Sequence, residues 1–121
     1  AALAEAEAPV LIHCMVGKDR TGLIAALTLG MAGVHSELIA DDYALSAPLT
    51  SALLAEIRAM LVSHNIDVAR FDRLSPAPRE AMLTTLNYID ARYGGVESYM
   101  ATIGLTTAQR EGLKQLLLNG E

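Results

Sequence analysis

Tryptophan is missing from the 121-residue sequence, and four tyrosines and one phenylalanine make up only 4% of it. β-Branched residues are sparse too: 6 Val, 7 Ile and 8 Thr stand against 20 Ala and 19 Leu. A chain so rich in helix formers and so poor in strand formers cannot furnish a large sheet, which excludes a β-sandwich or barrel. Positive charge is also scarce. Nine Lys and Arg against 14 Asp and Glu give a net charge of −5, and no basic stripe exists to neutralise a nucleic-acid backbone. The longest uncharged run, between Arg20 and Glu37, holds 16 residues, short of the ~20 predominantly apolar residues of a membrane span. The first residues carry Glu5 and Glu7 without a cationic flank, unlike a secretory signal peptide. Cys14 is the only cysteine, so an internal disulfide and an all-cysteine metal site are both excluded. That leaves its thiol as either core filler or nucleophile.

What the sequence does contain is apolar and helical. Apolar residues reach 52%, enough to bury the core of one domain over residues 1–121. Residues 1–8 read as the end of a helix stopped by Pro9, and Val10, Leu11 and Ile12 then form a wholly apolar run. Such a run suits a strand buried on both faces of a parallel sheet, and it is the one convincing strand in the chain. From Thr21 to about Val34 the residues are apolar on every side, which predicts a central helix covered all round and ended by Gly33. Ser36 with Glu37 is expected to cap a helix to about Ser46, and Pro48 to open one whose apolar face is Leu49, Leu53, Ile57, Met60 and Leu61. A short turn follows around Val68–Phe71. Ser75-Pro76 is expected to cap a helix with Met82, Leu86, Ile89 and Tyr93 on its buried face, ended by Gly94-Gly95. A short helix over Val96–Ile103 stops at Gly104, and Thr106 with Gln109 forms a capping box for a last helix ending near Asn119-Gly120.

The chemistry gathers between His13 and Gly22. Cys14 leaves the apolar run, five residues form a loop, and Arg20 precedes a helix. Loop N–H groups can converge on an oxyanion, and the following helix N-terminus adds positive potential. Gly17 permits the sharp turn, and the planar fork of Arg20 can hold two phosphate oxygens. The same field stabilises a Cys14 thiolate, and Thr21 is placed to donate its hydroxyl to the sulfur. His13 is expected to fix the loop without touching substrate. Lys18 and Asp19 can equally be read as a solvated ion pair. Gly17-Lys18 is not a nucleotide-binding loop, because Asp19 follows the lysine and Ile12 stands where that motif needs glycine. A rhodanese-type sulfur carrier fits the His-Cys start and Arg-Thr-Gly ending less well. His35 and His64 read as loop or cap residues, Asp41 and Asp42 as a solvated helix face, Tyr43 as packing, and Tyr88, Tyr93 and Tyr99 as core or interface.

The run HCMVGKDRTG resembles the His-Cys-x5-Arg-Ser/Thr signature of the protein tyrosine phosphatase superfamily. Its Gly-Lys-Asp-Arg-Thr-Gly ending is similar to a bacterial and fungal subgroup, some of whose members also act on phosphoinositides. Asp41-Asp42-Tyr43, Ile89-Asp90-Ala91-Arg92-Tyr93-Gly94 and Gly95-Val96-Glu97-Ser98-Tyr99 resemble that subgroup as well. The resemblance implies an α/β phosphatase fold, here mostly helical with one central strand leading into the phosphate loop. It also implies a two-step hydrolysis of phosphomonoesters through a cysteinyl-phosphate, with no metal or cofactor. Cys14 would be the nucleophile, and Arg20 with the loop residues Met15, Val16, Gly17, Lys18, Asp19 and Thr21 would hold phosphate. Residues 1–9 leave no room for a separate acid loop before Val10, so Asp19 is expected to be the general acid. The substrate would be phosphotyrosine in a protein, with phosphoinositide or dual specificity as the extension, and Lys18 would offer its charge to a polyanion.

One strand cannot make a sheet, since Val10–Ile12 would leave N–H and C=O groups unpaired on both edges. The expectation is therefore the C-terminal half of a phosphatase domain, its sheet completed by a partner segment or a second copy. The alternative is a catalytically incompetent fragment that keeps the loop as a phosphate-binding or interaction module. A cytoplasmic location is expected, with secretion by a non-classical route left open.

Overall fold

Alanine and leucine at helical spacing dictate the architecture, and glycine or proline marks most of its corners. The computed structural model describes residues 2–6 and 9–118. A single 3-10 turn, Ala2–Glu5, precedes α1 (Asp19–Met31), α2 (Ser36–Ala44), α3 (Ser46–Ser63), α4 (Ala69–Leu74), α5 (Arg79–Tyr93), α6 (Val96–Thr102) and α7 (Thr107–Leu118). No strand forms among the described residues, which corrects the expected central strand. A strand is held by its ladder, and no described segment offers Val10–Ile12 a partner. Those three residues are instead 50, 86 and 39% exposed.

Helix α1 is the hub. One side carries Ala26 against Ile39 and Ala40 of α2 and Met82 and Leu86 of α5. Another carries Met31 against Met100 of α6 and Leu113 of α7. The expected cover all round is not found: α1 starts at Asp19 rather than Thr21, and Leu23 and Ile24 are each 42% exposed. Its end is as expected, with the Gly33 N–H donating to the Gly30 carbonyl and the Val34 N–H to that of Leu29, at 3.1 and 3.0 Å. This pair of bonds satisfies two carbonyls that a helix end otherwise leaves open.

Other boundaries move for identifiable reasons. His35, with an extended ψ of 141°, is the N-cap of α2, so Ser36 is its first helical residue and not its cap. Pro48 lies in the first turn of α3 and has no N–H to offer the Ala44 carbonyl, so the helix breaks at Leu45 rather than running to Ser46. The predicted apolar face of α3 is helical but unburied; no residue of that helix is in the core. Together α2 and α3 make a 28-residue helical stretch, Ser36–Ser63, containing an 18-residue window of mean hydropathy 1.4, long and apolar enough by length and composition to cross a membrane. A count of uncharged residues had not revealed it. Arg58 within this stretch grips Asp72 of α4 through Nε–Oδ1 at 2.7 Å and Nη2–Oδ2 at 2.9 Å, a bidentate pairing that fits a helix lying along a protein surface.

Ser75 closes α4, donating both N–H and Oγ–H to the Phe71 carbonyl at 2.9 and 2.8 Å. It does not cap α5, which begins at Arg79 behind an extended Pro78. Pro76 and Pro78 have no N–H to donate, and the extended ψ of 135° at Pro78 delays the start to Arg79. Met82, Leu86 and Ile89 are buried as expected. Arg79 bridges Glu37 and Asp41 of α2, so Asp41 is a paired carboxylate rather than part of a merely solvated face. Tyr93 meets Tyr88 and Tyr99 edge-on at ring separations of 6.4 and 5.0 Å. The capping box of α7 is present in both directions: Thr106 N–H donates to Gln109 Oε1 at 3.0 Å, and Gln109 N–H to Thr106 Oγ1 at 3.2 Å. The expected end at Asn119-Gly120 lies outside the described residues, as does part of the Ala-Glu start.

Candidate active site

The loop 14–18 joins the exposed apolar run to α1. Gly17 sits at φ +76°, a left-handed conformation that side chains resist and that turns successive amides toward one point. Lys18 is the N-cap of α1 and Asp19 its first residue, so the positive end of the helix faces the loop. Cys14 is half-buried at this focus. Its thiol is lowered from the ordinary 9.0 to about 6, first by the Thr21 hydroxyl and then by the amide of Thr21, with smaller help from the amides of Gly17 and Val16 against the opposing effect of burial. Thr21 Oγ1 is buried and makes no hydrogen bond of regular geometry among the described residues, the Cys14 sulfur included, so its hydroxyl acts on the thiol as a nearby dipole. With its pKa at about 6, roughly nine-tenths of the thiol is ionised at pH 7.

His13 braces the loop from outside: Nδ1 lies 3.2 Å from the Cys14 carbonyl oxygen, which can only accept, so the ring nitrogen donates. Arg20 is exposed in the first turn of α1, its guanidinium making no ion pair among the described residues. Met15 is exposed and Val16 half-buried. Both border an apolar groove of about 520 Å³ that runs from the loop to Leu54 and Ile57 of α3 and Phe71 and Leu74 of α4. Sequence reasoning missed this groove because helical spacing identifies the apolar face of α3 without saying what lies opposite it.

Lys18 departs from its expected role. Only 3% of it is exposed, and its ammonium donates to the carbonyls of Leu74, Ser75 and Pro76 at 2.9, 2.7 and 3.3 Å. The charge offered to a polyanionic substrate is thus committed to the carbonyl-rich end of α4, where a cation is favoured. Lys18 contacts Asp19 Oδ1 at 3.6 Å, but only the aspartate, 67% exposed in its side chain, is solvated. Tyr43, read from sequence as packing, donates its hydroxyl to the same Oδ1 at 3.1 Å. Helical register places Tyr43 on the α2 face toward α1, a signal that was available but is weak by itself. His35 and His64 are helix caps as expected. Among the described residues no group of three or more His, Cys, Asp or Glu is arranged to hold a metal ion.

A half-buried thiol on a loop of inward-turned amides at the start of a helix is an arrangement that can hold an oxyanion against sulfur. The profile of the tyrosine phosphatase family matches residues 1–119, and the chain belongs to that family. It is 32% identical over 120 residues to a tyrosine-protein phosphatase of Nostoc commune, covering 92% of this chain and 40% of the relative. It is 30% identical over 121 residues to the triple specificity protein phosphatase PtpB of Mycobacterium tuberculosis, covering 91% and 44%. A putative tyrosine-protein phosphatase of Cupriavidus necator is 29% identical over 91 residues, covering 75% and 33%. The chain therefore spans less than half the length of the curated relatives it matches. No solved structure matches it at significance.

Proposed function

We propose that this chain carries the phosphate-transferring machinery of a cysteine-dependent phosphomonoester hydrolase acting on phosphotyrosine. The observation that carries the reading is the Cys14 thiol lowered to about 6 by Thr21 and the loop amides. The thiolate attacks phosphorus, forming an S–P bond as the P–O bond to the leaving group breaks. Arg20 and the amides of the 14–18 loop neutralise the transferring phosphoryl oxygens. Asp19 gives its proton to the departing oxygen, and as carboxylate then takes one from the water that breaks the S–P bond. The triple-specificity name of the Mycobacterium relative supports a substrate range wider than phosphotyrosine, and the resemblance of the loop to the bacterial and fungal subgroup extends the proposal to phosphoinositides.

The exposed run Val10–Ile12 and the bare Leu23 and Ile24 support completion of the domain by further strands, from a partner segment or a second copy. A lone free thiol in a working loop fits a reducing, cytoplasmic setting. The test is turnover of p-nitrophenyl phosphate by the full-length protein. Activity lost in Cys14→Ser, insensitive to chelator and accompanied by a trapped phosphocysteine is the expected result. Phosphate binding with no turnover by the wild type would favour the binding-module alternative instead.

A further inference from the structure

Resting on the reading of Asp19 as the proton donor, we propose that Tyr43 is a positioning residue that orients the Asp19 carboxyl so that only Oδ2 faces the leaving group. Both neighbours of the carboxyl address one oxygen: the Tyr43 hydroxyl donates to Oδ1 at 3.1 Å, and the Lys18 ammonium stands 3.6 Å from that same atom. A general acid needs its proton on the oxygen that points to substrate, and a carboxyl free to rotate would spend much of its time presenting the wrong one. Donation to Oδ1 from α2, with the Lys18 charge near the same atom, restricts that freedom and leaves Oδ2 to carry the proton.

The ring is seated for this purpose by Gly22. A Cβ at that position would meet Tyr43 Cδ2 at 2.7 Å and Cε2 at 3.0 Å, so only glycine lets the ring lie flat on α1 with its hydroxyl over Asp19. The ring also walls a small cavity of about 180 Å³ with Asp19, Leu23, Met82 and Thr85, which fixes its plane. Burial, and then the charge of Asp19 and the hydrogen bond to it, raise the Tyr43 phenol above its ordinary 10.0. It therefore stays protonated and acts as a donor throughout the cycle. In the first step the Oδ2 proton moves to the leaving oxygen as the P–O bond breaks. In the second, water gives a proton back to Oδ2 as the S–P bond breaks, while the Tyr43–Oδ1 bond persists.

The test uses two substrates in the full-length protein: p-nitrophenyl phosphate, whose leaving group departs with little protonation, and phenyl phosphate, whose leaving group needs it. Tyr43→Phe keeps the packing and removes only the hydroxyl. It should cut kcat/KM for phenyl phosphate about tenfold and for p-nitrophenyl phosphate no more than about twofold, with inhibition by inorganic phosphate unchanged. In an Asp19→Asn background the same substitution should add nothing, since the two residues act as one unit. Gly22→Ala should shift the substrate ratio in the same direction as Tyr43→Phe. Equal losses on both substrates, or an additive loss in the Asp19→Asn background, would assign Tyr43 to packing alone and overturn the proposal while leaving Asp19 as the acid. An Asp19→Asn enzyme with the wild-type substrate ratio would remove Asp19 as the acid and the role of Tyr43 with it.

Discussion

Thr21→Val should change the reactivity of Cys14 in a way that reverses sign with pH. The fall of the thiol from 9.0 to about 6 is shared among four favourable groups, of which the Thr21 hydroxyl is the largest. Removing it should leave the thiol on the order of tenfold more basic. At pH 6 the ionised fraction would drop from about a half to about a tenth. A more basic thiolate is also a better nucleophile, by roughly threefold for a tenfold change in basicity. The variant should react about twofold more slowly than wild type at pH 6 and about threefold faster at pH 9, so the two curves cross. Because Cys14 is the only cysteine, release of chromophore from a neutral dipyridyl disulfide reports it alone. Stability follows the same linkage. The folded thiol has the lower pKa, so its ionisation favours the folded state fully above about pH 9 and not at all below about pH 6. Thr21→Val would shorten that window from the acid side. Parallel curves with no crossing, or a midpoint still at about 6, would refute the assignment of the hydroxyl as the principal stabiliser.

Lys18→Met strands three carbonyls that an ammonium now serves. It should cost about 3 kcal/mol in urea unfolding, and an unchanged midpoint combined with weaker phosphate affinity would show that Lys18 faces substrate after all. Leu86→Ala empties a position only 3% exposed between α1, α2 and α5, with an expected cost of about 2–5 kcal/mol by calorimetry. A loss under 1 kcal/mol would mean that this cluster is not the core. Cys14→Ser should abolish turnover while leaving inorganic phosphate bound, as measured by titration calorimetry.

Much of the helical frame could be read from local chemistry. Gly33, Gly94 and Gly104 end helices at φ +82°, +79° and +100°, and the Thr106–Gln109 box formed as written, because these signals act within four residues. The loop was legible for the same reason: Cys14, Gly17, Arg20 and Thr21 are close in sequence and their spacing is the geometry. What could not be read was contact at long range. Whether Ile57, Met60 and Leu61 are core or groove wall depends on what lies across from α3, and period 3.6 is identical in both cases. Lys18 carries the same charge whether it points at substrate or at residues 74–76, which are 56 to 58 positions away. The apolar run Val10–Ile12 has the pattern of a buried strand, but a strand needs neighbours that its own sequence does not name.

The Lys18 anchor constrains how this region can change over evolutionary time. Across this contact its ammonium meets the main-chain oxygens of Leu74, Ser75 and Pro76, and every amino acid supplies one. The α4–α5 connection can therefore drift in side-chain identity without losing its attachment to the 14–18 loop, provided its length and path are kept. Insertions and deletions there should be purged while substitutions accumulate, so that the segment would look variable by residue and invariant by gap.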